Sequence, residues 1–121
     1  MTKNRYLTKL NNKLLSIHNG VRSYEIDSVS YIFVNGKNTL EDMKLALEYS
    51  NIKNLSEITI KDGTGKKVIS DNNLQGLINA MIVDGYELWK DKLSREDEIN
   101  LLDETSETFD DDTIAIINRS W

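Results

Sequence analysis

Between Asp71 and Leu93, apolar side chains return every three or four residues for more than five turns. The stripe is Leu74, Leu77, Ile78, Met81, Ile82, Leu88, Trp89 and Leu93, with Gly85 in step. That period gathers the side chains onto one face of a helix. Asp71 is a suitable N-cap for it, and Trp89 on the apolar face is expected in the core. Ser94 with Asp97 offers a further helix start, or the long helix continues through Leu101-Leu102.

The chain before this helix reads differently. Residues 21–34, VRSYEIDSVSYIFV, alternate with period two, and Val, Tyr, Ile and Phe dominate. Two strands with a bend near Asp27-Ser28 are expected, followed by a turn at Asn35-Gly36. Residues 39–50 follow as a helix, with Asn38-Thr39 before Glu41-Asp42 resembling a capping box and Leu40, Met43, Ala46 and Leu47 forming its stripe. Strands at about 56–61 and 66–70 then enclose KDGTGK.

The ends are less determined. Leu7, Leu10, Leu14 and Ile17 stand at helical spacing, so residues 1–20 read as an N-terminal helix or arm, with a strand in YLTKL as the alternative. Residues 105–121 form an acidic and apolar C-terminal tail, either a helix opened by aspartates or a short strand. The expected fold class is α+β: a small antiparallel sheet of hairpins packed against a long C-terminal amphipathic helix and shorter helices. Length and the lack of any linker keep residues 1–121 as a single domain.

Composition narrows the function classes. Hydrophobic residues make up 39% and charged ones 29%, the balance of a soluble globular chain. Residues 1–15 lack the apolar segment of a secretory signal, and no apolar run reaches the ~20 residues that cross a bilayer. The expected location is therefore a host cytoplasm or a particle assembled there. With no cysteine there is no thiolate metal site and no thiol nucleophile. His18, the single histidine, leaves no ordinary catalytic triad and reads as a helix-end or surface residue.

Charge is uneven. Residues 1–60 carry eight basic and six acidic side chains, net +2, and residues 61–121 carry seven and fourteen, net −7. Nine acids and no base fall within residues 96–112. Such a surface repels nucleic acid and suits a basic protein face. Glu96, Asp97, Glu98, Asp110, Asp111 and Asp112 are accordingly candidate partner-binding residues. Trp121 joins them, since a terminal aromatic either packs back onto its own domain or reaches a neighbour.

The glycines of ITIKDGTGKKVIS (58–70) invite a phosphate loop. A Walker loop needs GxxxxGK[ST] leading into a helix. Here Gly63 and Gly65 are two apart and Lys66-Lys67-Val68 opens a second strand, so Asp62-Gly63 reads as a hairpin turn. Asp110, Asp111 and Asp112 lack the ligand spacing of an EF-hand. No catalytic residue, metal ligand or cofactor site is expected.

In order, SYIFVNG, NTLEDMKLAL, ITIKDGTGKKVIS, NNLQGLINAMIVDGYELWKDK, EINLLDETSE and TIAIINRSW resemble the landmarks of a domain family of unknown function found in phage and prophage tail-fibre and tail-assembly proteins. The similarity spans about residues 21–121 and departs where a Trp often precedes the Asp turn, since Ile58, Thr59 and Ile60 stand here. The resemblance implies a context and supplies no catalytic residues. Two functions follow as expectations. One is a non-enzymatic, tail-associated protein that works through protein–protein contacts and forms homo-oligomers. The other is a phage-encoded anti-defence protein: an acidic inhibitor of the anti-CRISPR type, or a sponge for a signalling nucleotide held by Arg22, Tyr24, Lys61, Lys66 and Lys67.

Overall fold

The computed structural model describes residues 1–34 and 36–121. Its elements are α1 (Lys3–His18), β1 (Val21–Ile26), β2 (Val29–Val34), α2 (Gly36–Ile52), β3 (Glu57–Asp62), β4 (Gly65–Ser70), α3 (Asp71–Asn100) and α4 (Phe109–Asn118). The fold is α+β, with each pair of strands forming its own two-stranded antiparallel sheet. The sequence kept residues 1–121 together; in space they gather into two compact units, His18–Gly85 and Met1–Ile17 with Tyr86–Trp121.

In the unit His18–Gly85, the first hairpin turns on Asp27 (φ 53°) and Ser28 (φ 64°). Two consecutive left-handed residues match the right-handed twist of the flanking strands, which is why a two-residue connection suffices. Pairing runs from Val21↔Val34 to Ile26↔Val29 and aims Tyr31 and Phe33 inward. The second hairpin pairs Glu57↔Ser70 through Asp62↔Gly65, and Gly65 sits at φ +132°, a conformation that side chains disfavour. Tyr31, Phe33, Met43, Ile60 and Ile69 pack against Leu74, Leu77, Ile78 and Met81 of α3 in one apolar cluster.

Helix α2 begins at Gly36, ahead of the expected start, so Asn38 and Thr39 are inside it and do not cap it. The Thr39 hydroxyl instead donates to the Val34 carbonyl at 3.3 Å. The expected turn at Asn35-Gly36 falls on Asn35, outside the described residues. Leu40, Met43, Ala46 and Leu47 do form the inward stripe. At the start of α3 the capping oxygen is that of Ser70, which accepts from the Asn73 amide at 3.1 Å, one position before the expected Asp71.

The other unit is helical. Residues 3–18 form a helix, not a strand, and its buried positions are Tyr6, Leu10 and Leu14. Helix α3 runs unbroken through Ser94 and stops at Asn100, so Ser94 starts nothing and Leu101-Leu102 lie in a turn. The tail is the helix α4, opened by Asp110, Asp111 and Asp112 in its first turn, where carboxylates meet the positive end of the helix dipole. Tyr6, Leu10, Ile99, Phe109 and Ile117 form the core, with the Tyr6 and Phe109 rings edge to face at 5.7 Å. Trp89 departs from expectation: it is 45% exposed, because the helix stripe is wider than the surface that covers it.

Candidate functional site

Three charged side chains, Asp62 and Arg95 buried and Asp84 half-buried, collect the polar bonds of the fold, and sequence had marked only Asp62, as a turn residue. Asp62 is the last residue of β3 and points inward, its side chain fully buried. It accepts from the Ile32 amide at 3.0 Å, from the Thr64 amide at 2.9 Å and hydroxyl at 2.7 Å, and from Lys67 Nζ at 2.9 Å. Burial pushes its pKa up, but these four donors outweigh burial and hold the carboxyl well below the usual carboxylate range. The Gly63 amide donates to the Ile32 carbonyl at 2.6 Å, joining the two hairpins side by side. A Cβ on Gly63 would lie 3.0 Å from that carbonyl, so the glycine allows the close approach.

The second is Asp84 on α3. Arg22 grips it with two hydrogen bonds, Nε at 2.9 Å and Nη2 to the other oxygen, and the Tyr24 hydroxyl donates to it at 2.8 Å. Burial opposes the charge of Asp84, yet the bonds from Arg22 and Tyr24 leave its pKa lowered. Burial and then Asp84 push the Tyr24 phenol up to about 12. The ring of His18 packs on Gly85, where a Cβ would lie 3.6 Å from Cε1. Arg22 and Tyr24 come together as the nucleotide reading required, but a carboxylate already occupies the place a phosphate would take.

The lysines of that reading separate. Lys67 is taken by Asp62 and by the Ser30 carbonyl at 2.6 Å, and its ammonium lies 5.1 Å from the centre of the Tyr31 ring. Lys61 and Lys66 are cross-strand partners on the exposed face of the second hairpin. The five residues therefore form no common pocket. A polar cleft of about 320 Å³ between the end of α2 and the start of α3 includes Ser50, Asn54, Ser56 and Asp71. Ser50 Oγ donates to the Leu47 carbonyl and Asp71 accepts from the Asn72 amide, so both are engaged in backbone bonds.

Arg95, only 1% exposed, is the third. Its guanidinium donates to the carbonyls of Ile116 (2.7 Å), Arg119 (2.8 Å) and Ser120 (2.7 Å) and pairs with Asp91 one turn earlier at 3.1 Å. Ile116 is in the last turn of α4 and Arg119 and Ser120 follow its end at Asn118, where no intrahelical donor remains. Trp121 lies over the guanidinium, its ring centre 3.9 Å away, and its indole N–H donates to the Ile117 carbonyl at 3.0 Å. Of its two expected fates, Trp121 takes the first and packs back. The i,i+4 pair Asp91–Arg95 was visible in the sequence; the carbonyls it serves lie 21 to 25 residues on.

The acidic candidates divide as well. Glu96 pairs with Lys92 at 2.9 Å and Glu98 with Arg119 at 2.7 Å, the latter lowering the pKa of Glu98. Asp110 accepts from the Tyr6 hydroxyl at 2.6 Å and meets the N-terminal ammonium at 3.4 Å; the bond to Asp110 pushes the Tyr6 phenol up to about 12. Asp112 accepts from the Thr108 hydroxyl at 3.0 Å. Asp97 and Asp111 stay exposed on the surface. Sequence reading missed Tyr86, 59% exposed, whose ring lies 5.7 Å from that of Trp89.

Among the described residues, no buried side-chain polar atom lacks a partner and no cluster of His, Cys, Asp or Glu could hold a metal. No described helix is long and apolar enough to cross a membrane. No family model, curated protein or solved structure matches the chain.

Proposed function

We propose that this chain is a non-enzymatic contact protein, associated with a phage tail, that binds a protein partner through the second half of α3. The observation that carries the reading is the Tyr86–Trp89 pair: two exposed aromatic rings, tilted 46° to each other and 5.7 Å apart, on one helix. Aromatic side chains of this kind dominate the energetics of protein interfaces, because each buries a large area at little cost in side-chain entropy. The charged groups of the interior support the reading from the other side. Asp62, Asp84, Arg22 and Arg95 all spend their bonding capacity on the fold. The tail context rests on the sequence landmarks, and the host cytoplasm or virion follows from it.

Exposed acids favour the second reading, an anti-defence protein that covers a basic groove of a nuclease. Asp97, Asp103, Glu104, Glu107 and Asp111 would supply that surface. Affinity capture from infected cells separates the two. With the wild type, a tail structural protein is expected to co-purify. With Tyr86→Ser/Trp89→Ser, its recovery should fall at least about tenfold, the loss of one interface hot spot. Undiminished recovery by that variant would remove the aromatic pair from the interface. A salt-sensitive complex with a defence nuclease would favour the second reading.

A further inference from the structure

Helix α1 carries Lys3, Arg5, Lys9 and Lys13 and no acid. Arg5, Lys9 and Lys13 repeat at four-residue steps, all exposed, with no ion-pair partner among the described residues. Like charges at that spacing destabilise a helix, so the stripe is not explained by the stability of α1. Lys9 and Lys13 border a groove of about 470 Å³ floored by Tyr6, Ile114 and Ile117. Helices α1 and α4 run in the same direction here, with Tyr6 meeting Asp110 near their starts and Lys13 and Asn118 lining the groove toward their ends.

The same unit carries a surface of complementary character. Leu101, just past the end of α3, is 87% exposed, the highest value among the large hydrophobic side chains. Its amide donates to the Asp97 carbonyl at 3.1 Å, so it is fixed by a last turn of helix. Exposed Asp97, Asp103 and Glu104 surround it in sequence. Lys3 anchors this corner to the beginning of α1, through Nζ to the Asn100 carbonyl at 3.0 Å and through its amide to Glu104 at 3.2 Å. The edge of the groove on α1 runs from Tyr6 to Lys13, three to ten residues past Lys3, or roughly 5–15 Å at 1.5 Å per residue. Leu101 is held at the Lys3 corner with its side chain in the open, so it does not fill the groove of its own molecule.

We propose that the groove receives the Leu101 corner of a second copy, with Leu101 against Ile114 and Ile117 and the acids of the corner against Lys9 and Lys13. The occupant follows from charge complementarity: a basic rim over an apolar floor meets an acidic rim around an apolar knob. Because groove and corner are different surfaces, the contact is head-to-tail and leaves one of each open on every dimer, so it propagates into a ring or filament. The inference deepens the contact-protein reading and rests on it.

Light scattering on the intact chain tests it. The wild type should exceed the monomer mass at high concentration, and added salt should reduce that mass, since the contact is partly ionic. Leu101→Asp and Lys9→Glu/Lys13→Glu each alter exposed side chains, so both should keep the wild-type circular dichroism and run as monomers. An equimolar mixture of the two should give dimers and nothing larger, because the first retains a groove and the second a corner. A monomeric wild type, variants of unchanged mass, or a mixture that stays monomeric would overturn the assignment. If Tyr86→Ser/Trp89→Ser loses its tail partner while the wild type alone is monomeric, the contact reading stands and the groove assignment falls. If self-association follows the expected pattern and no tail protein is captured, the groove stands and the tail partner falls.

Discussion

The two units solve the same problem with opposite charges. In His18–Gly85 a buried anion, Asp62, collects donors: two backbone amides, a hydroxyl and an ammonium. In the unit of Met1–Ile17 and Tyr86–Trp121 a buried cation, Arg95, collects acceptors, the carbonyls at and just past the end of α4. The difference follows from what each chain segment leaves unsatisfied. Where two hairpins meet edge to edge, spare amides remain; where a helix ends, spare carbonyls remain. A charge placed at either site is stabilised by several bonds at once, which offsets the cost of taking it out of water.

The largest effect is expected from Arg95→Leu. It keeps much of the bulk but leaves the carbonyls of Ile116, Arg119 and Ser120 and the Asp91 carboxylate without their donor. Breaking a buried charged contact in this way costs about 3–5 kcal/mol. Chemical denaturation should show a loss of that size, and hydrogen exchange should rise more in α4 than in β3 and β4. Equal acceleration in both places would break the comparison.

Asp62→Asn should come next, at about 1–3 kcal/mol, since an amide cannot accept all the bonds a carboxylate does. It also carries a pH signature. The Asp62 carboxyl is held low in the folded state and regains its ordinary value of about 3.9 when unfolded. Its contribution is therefore fully present above that unfolded value and lost as pH falls through the lower folded one. The wild type should lose stability toward acid more steeply than Asp62→Asn, read from denaturation midpoints across that range. Parallel curves would show that Asp62 contributes no such term.

The smallest effect sharpens the contrast between buried and surface charge. Glu98–Arg119 is the exposed pair, its side chains 41% and 49% open to solvent, and Glu98→Gln should leave the denaturation midpoint nearly unchanged. A loss comparable to that of Arg95→Leu would mean that burial is not what makes the interior charges matter.

Much of the architecture was legible because it is local. The stripe of α3, the bend at Asp27-Ser28 and the hairpin around Asp62-Gly63 depend on residues a few positions apart. The errors also have a local origin. Tyr6 is more deeply buried on α1 than Leu7, which packs at the edge of the same core, and Ser70, not Asp71, caps α3. Spacing alone leaves a helix face or boundary open to a shift of one residue. The candidate sites were far less readable. Arg22 and Tyr24 were picked as a phosphate contact, and what redirects them is Asp84, some sixty residues away.

By itself, the sequence determined the two hairpins, the helical period of α3 and how the charge divides, since backbone geometry and hydrophobic period are set by near neighbours. It left residues 1–20 and 105–121 open between helix and strand. Only the tertiary structure decided which charges are spent. It buried Asp62 and Arg95, half-buried Asp84, folded Trp121 back over a guanidinium, and left Trp89 and Leu101 in the open. The reason is physical: a side chain's period tells which way it points along its own element, and what it meets there is supplied by residues that only folding brings near.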